Sequence, residues 1–133
     1  MRLLLVKDVD AVWPGINRFA EMLEKDFPEW TAASLFHGAR SGALQLWVIA
    51  DGEAAKAAIF VEYRSRGNHT GARVAAMAGE DIHGWKHLWP EFKKALVTFG
   101  ASSMDCVARK GFGEIFTDFK AKRYLFEVDL TDA

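Results

Sequence analysis

The chain has 133 residues, half of them apolar, which suits one domain, 1–133, built around one core. Charged residues make up 26% and nearly cancel to a formal net charge of −1, so no overall basic field exists to recruit nucleic acid or an acidic membrane. A single cysteine, Cys106, excludes an internal disulfide and any cysteine cluster for metal.

The apolar run Met1-Arg2-Leu3-Leu4-Leu5-Val6 ends at Lys7-Asp8 with no small-residue cleavage site after it. It reads as a first, largely buried strand over 2–6 and not as a leader, and the cytoplasm is the expected compartment. Asp8 and Asp10 offer N-caps, Pro14 is expected in the first turn, and Val12, Ile16, Phe19, Ala20, Leu23 and Phe27 recur at helical spacing up to Pro28. Thr31 can cap a second short helix through Ala32, Leu35 and Phe36 that stops at Gly38 or Gly42. Residues 43–50 form an apolar, β-branched and aromatic run, Asp51-Gly52 a turn, and 56–64 the return strand. On that strand Ala58, Phe60 and Glu62 share one face, and Ile59, Val61 and Tyr63 the other. Residues 66–71 read as a polar loop and 72–78 as a third strand of the meander.

That strand leads into the turn Gly79-Glu80-Asp81-Ile82-His83-Gly84, on which the chain's function is expected to depend. A strand that turns on glycines into a helix start can hold a phosphate, because free backbone N–H groups and the positive end of the helix dipole converge there. Glu80 and Asp81 oppose this: carboxylates at a helix start are expected to take up the free donors and repel a second anion. Trp85, Leu88, Trp89, Phe92, Ala95, Leu96 and Phe99 then form a helical stripe, in which Pro90 either kinks the helix or marks its true start. Gly100 ends it, 102–108 reads as an inner strand, Phe112, Ile115, Phe116 and Phe119 as a last helix, and 124–130 as a closing strand.

The order strand, helix, helix, three strands, helix, strand, helix, strand resembles the GNAT N-acetyltransferase superfamily over nearly the whole chain. The resemblance implies an α/β (α+β) fold, with a mixed, mostly antiparallel central sheet and helices on both faces. It also implies an acetyl-CoA pyrophosphate loop of pattern Arg/Gln-x-x-Gly-x-Gly/Ala, for which Asp81-Ile82-His83-Gly84-Trp85-Lys86 is the matching stretch. Only Gly84 fits: Asp81 stands at the basic or amide position and Lys86 at the small one. Met77, Gly84 and Lys86 would be the cofactor contacts, with strands around Val74–Met77 and Met104–Val107 splayed to hydrogen-bond a pantetheine arm. The family's proton-donating Tyr aligns with Phe116, which has no proton to give, leaving Tyr124 as a weak substitute. A family-type general base would be Glu62, the sole acidic residue within the second meander strand, although a carboxylate paired with Arg64 or Arg73 is the more ordinary expectation.

Other candidates carry less. His83 and His87 have the four-residue spacing of zinc pairs, but no third ligand is indicated. Cys106 reads as a small core residue. Arg109, Lys110, Lys120, Lys122 and Arg123 form the strongest local positive charge, a solvated end before it is a patch for an anionic partner. The expected function is binding or assembly by a GNAT-like protein with a degenerate loop and no cofactor, its partner a protein or a second copy. The chain is similar in this to acetyltransferase-like bacteriophage and prophage products, virion components among them, and some of its five tryptophans would then be exposed. The alternative is an N-acyltransferase that moves an acyl group from acetyl-CoA to an amine, with an open cleft between the splayed strands. A nucleic-acid module ranks last.

Overall fold

The computed structural model describes residues 1–27, 29–108, 112–122 and 126–132. Strand β1 (Arg2–Leu5) is followed by helices α1 (Val9–Asp26) and α2 (Ala32–Ser41). Strands β2 (Gln45–Asp51), β3 (Ala54–Arg66) and β4 (His69–Gly79) form the meander. Then come helix α3 (Ile82–Trp85), a 3-10 turn (Lys86–Leu88), helix α4 (Trp89–Thr98), strand β5 (Ser103–Cys106) and helix α5 (Phe112–Ile115). The sheet order is β1-β2-β3-β4-β5, antiparallel throughout except for the parallel pair β4–β5. This is the mixed, mostly antiparallel sheet expected.

Period-two alternation sorts the strand residues onto two cores. Leu46, Val48, Ala58, Phe60 and Ala76 pack under α1 and α2, against Ile16, Phe19, Leu23 and Leu35. Trp47, Ile49, Ile59, Val61 and Val74 face the opposite way, onto Trp85, Trp89, Phe92, Leu96 and Phe116. Asp8 caps α1 by accepting the Ala11 N–H, and Thr31 and Ser34 form a reciprocal capping box on α2, which Gly42 closes in the left-handed region at φ 86°.

Several expectations need correction. Strand β1 is the sheet's edge and alternates exposed with half-buried positions, so it is not largely buried. Pro14 lies inside α1 and not in its first turn, because Asp8 starts the helix at Val9. The loop expected at 66–71 shrinks to a tight turn with Gly67 at φ 58°, since β3 and β4 stay paired out to Arg66↔His69. Pro90 falls at the start of α4, so the second of its two readings holds. The last helix is a single turn, and the described part of the expected closing strand, 126–130, is not a strand. No tryptophan is exposed: Trp47, Trp85 and Trp89 are buried, Trp13 and Trp30 half-buried. The exposed large apolar residues are instead Val97, Phe99, Val107, Phe126, Val128 and Leu130, among others.

Candidate functional site

Strand β4 sets up the site. Between the pairs Phe60↔Ala76 and Val61↔Val74 one residue, Ala75, has no partner on β3, which is a bulge that bends the strand. Its other edge pairs with β5 only over Gly71↔Ser103 to Val74↔Cys106. Beyond Val74 the strand runs on to Gly79 with no described strand on that edge, because β5 itself ends at Cys106, the partner of Val74. Below the split, Arg73 grips Asp105 through two charge-assisted bonds of 2.8 and 3.0 Å.

Gly79 ends β4 under close backbone contact: a Cβ there would lie 2.6 Å from Ala57 Cβ and 2.8 Å from the Lys56 carbonyl. The Glu80 N–H donates to that carbonyl at 2.8 Å. The Glu80 carboxylate turns to Arg18 of α1 at 3.3 Å and Lys56 of β3 at 3.8 Å. Asp81 follows in the left-handed region, at φ 55° and ψ 47°, where it is the one described non-glycine residue at positive φ. Its side chain caps no N–H group of α3. The carboxylate lies over Gly84 instead, so that a Cβ added to Gly84 would meet Asp81 Oδ2 at 2.5 Å. The expectation that both acids take up the free donors is therefore corrected: neither caps α3, one is drawn away, and the other occupies the surface of the turn. Trp85, 1% exposed, fixes this arrangement from beneath by donating its indole N–H to the Glu80 carbonyl at 2.9 Å.

The remaining candidates are spread out. Gly84 donates its N–H to the Asp81 carbonyl at 2.9 Å, and Lys86 is exposed at the start of the 3-10 turn. Met77 is half-buried and packs on the α3/α4 core from the open half of β4. Glu62 lies on the opposite face of the sheet, where its carboxylate pairs with Arg64 at 2.8 Å, across the ladder from Arg73. The ordinary reading of that residue is the one observed. Tyr124 lies outside the described residues, as do Arg109, Lys110 and Arg123, so only Lys120 and Lys122 of the basic cluster are described, both exposed. His83 and His87 are exposed, and no group of His, Cys, Asp or Glu among the described residues could hold a metal ion. Cys106, half-buried beside Asp105, has its thiol pushed up to about 11, chiefly by burial and secondarily by the Asp105 charge, which suits a core residue and not a nucleophile.

An aromatic cluster went unread as a unit. Trp89 stacks on Phe116 at 4.2 Å between ring centroids and also contacts Phe92, Phe112 and Phe119. Phe116 is 3% exposed, so at the position where the resemblance implies a Tyr hydroxyl a ring is engaged in packing. The Trp89 indole N–H is buried and meets no acceptor among the described residues, which costs about 1–3 kcal/mol. The signal was available in Phe112, Phe116 and Phe119 at helical spacing.

No protein-family model matches the chain, and no curated protein sequence does either. Solved structures do. One is a possible acetyltransferase from Clostridium difficile 630, at 11% identity and TM-score 0.66 over 97% of both chains. Another is an aminoglycoside acetyltransferase from an uncultured soil metagenomic sample, in complex with sisomicin, at 11% identity and TM-score 0.70 over 97% of this chain and 95% of that one. A third is a transcriptional regulator from Bacillus halodurans C-125, at 10% identity and TM-score 0.70 over 97% of this chain and 100% of that one. The fold is GNAT-like. At these identities the likeness concerns the fold alone. No described helix is long and apolar enough to cross a membrane.

Proposed function

We propose that this GNAT-fold chain acts by binding or assembly and not by acyl transfer, as a structural component of the virion-associated kind that its sequence resembles. The observation that carries the reading is the Asp81 carboxylate lying over Gly84, on the turn where a coenzyme's diphosphate would rest. Two like charges brought together in a partly desolvated site cost on the order of a few kcal/mol, which Lys86 would offset only in part. The turn therefore does not fit acetyl-CoA in the family's usual mode. The proton chemistry is also unsupported, since Phe116 carries no hydroxyl and Glu62 is held by Arg64. Exposed Val107, Phe126, Val128 and Leu130 supply apolar surface for a protein partner or a second copy, and no cofactor is required.

One observation favours the alternative, an N-acyltransferase using acetyl-CoA: the edge of β4 beyond Val74, which has no described partner, could pair with a pantetheine arm. In that reading Met77, Gly84 and Lys86 contact the coenzyme, while Glu62 and Tyr124 handle protons. Thermal unfolding with a large excess of acetyl-CoA separates the two. We expect no shift, whereas a ligand at about a hundred times its dissociation constant would add roughly 2.7 kcal/mol of stability and overturn the binding reading. Native mass measurement then tests assembly, and we expect a species larger than one chain.

A further inference from the structure

We infer a second ligand site, independent of the reading above, at the end of the sheet opposite the α3 turn: a groove that takes a small apolar carboxylate. The groove holds about 500 Å³, within the range of small-molecule pockets, and Leu5, Val9, Leu44, Val61 and Phe99 supply its apolar lining. Gln45 and Tyr63 are its polar residues. Gln45 Oε1 accepts from the Trp47 indole N–H at 2.8 Å and from the Tyr63 hydroxyl at 2.5 Å. An indole nitrogen can only donate, so this pair fixes which end of the amide is oxygen. Neither Gln45 Nε2 hydrogen has a described protein partner, and the nitrogen is open to solvent at the groove. Burial raises the Tyr63 phenol above its ordinary value, so it stays protonated and keeps its donor role.

The side chain inferred to meet the carboxylate is Lys7. A second groove continues from the first past Val6 and Val9, and its charged lining is Lys7, Asp8, Asp10 and Arg40. Asp8 is engaged by the Ala11 N–H at 3.2 Å, and Asp10 by Arg40 at 3.6 Å. Lys7 has no described partner. It follows Val6, whose N–H still bonds the Leu46 carbonyl at 2.9 Å, so it leaves the sheet beside Gln45. An apolar body in the groove with a carboxylate at its mouth would meet the Gln45 amide and the Lys7 ammonium together.

The test is a titration of the full chain with 3-phenylpropionate, followed by the Trp47 indole and Gln45 side-chain amide signals in a proton–nitrogen correlation spectrum. We expect saturable shifts in the millimolar range usual for a probe of this size, with 3-phenylpropanamide binding about tenfold more weakly. Lys7→Gln, a change at an exposed position, should weaken phenylpropionate about fivefold, and Gln45→Leu about tenfold. Absence of saturable shifts at Trp47, equal binding of the neutral amide, or unchanged affinity in Lys7→Gln would each overturn the proposal.

Discussion

The two halves of strand β4 differ in what holds them. Over Gly71–Val74 the strand is bonded on both edges, by β3 and β5, and clamped by Arg73 on Asp105. Past the unpaired Ala75, from Ala76 to Gly79, β3 is its one described partner, and the packing of Trp85 and the turn that follows keep it in place. The described pairing on that edge ends at Val74, while the turn after β4 carries a carboxylate. Backbone pairing sets where the strand is held, and side chains set the charge at its end.

The strongest way to break the contrast is Trp85→Ala. It removes a fully buried ring and the bond to the Glu80 carbonyl at the end of the open half, and we expect a loss of about 3–5 kcal/mol by urea unfolding. A loss under 1 kcal/mol would mean that the open half holds its own shape.

Cys106 reports on the junction of the halves, since Val74↔Cys106 is the last paired position. With the thiol pushed up to about 11 from an ordinary 9.0, its thiolate fraction near pH 8 is roughly a hundredfold lower than that of an unfolded cysteine. Alkylation by iodoacetamide should be slower in about that proportion and recover in denaturant. The sign for stability follows: between 9.0 and about 11 the folded chain keeps a proton that the unfolded chain has lost, so stability falls as pH rises through that window. Fast alkylation of the native chain would show that the Val74–Cys106 end of the β4–β5 pair opens.

The sheet was legible because its strands alternate cleanly: Ala58 and Phe60 against Ile59 and Val61 needed only period two to be sorted to their faces. Caps were equally local, as Asp8, Thr31 and Gly42 show. The Ala75 bulge was not legible, because it leaves no mark in a run of small apolar residues. The fates of Glu80 and Asp81 were not legible at all. Which carboxylate meets Arg18 and which lies on Gly84 depends on α1 crossing the sheet near Ala55, a contact between residues 37 apart in the chain. Glu62 was readable as ion-paired because Arg64 is two residues away on the same face of the strand. The closing strand was misread from alternation alone: Phe126 and Val128 have the right spacing, yet they are 90% and 77% exposed.

Gly79→Ala tests the close approach at the end of the open half. The added methyl meets backbone, a carbonyl oxygen at 2.8 Å, as well as the Ala57 methyl at 2.6 Å, so neither neighbour can swing aside. We expect a loss of about 1–3 kcal/mol. Gly113→Ala is the control, since nothing lies within 4 Å of a Cβ there, and it should change stability little.

The smallest expected effect concerns the clamp on the other half. Arg73 and Asp105 are paired in the ladder and bonded through the guanidinium Nε and Nη2, yet their side chains are 30% and 60% exposed, so water screens the pair and each side chain gives up rotamer freedom to form it. Arg73→Ala should therefore cost about 0.5–1 kcal/mol, and a double-mutant cycle with Asp105→Ala should find a coupling that shrinks in 1 M salt. Glu62, opposite Arg73 in the ladder, is a second anion facing the guanidinium, so Glu62→Gln should leave the Arg73–Asp105 coupling unchanged or raise it slightly. A salt-insensitive loss above 2 kcal/mol would instead mean that the clamp sets the parallel register. In that case both halves of β4 would depend on side chains as much as on sheet bonding.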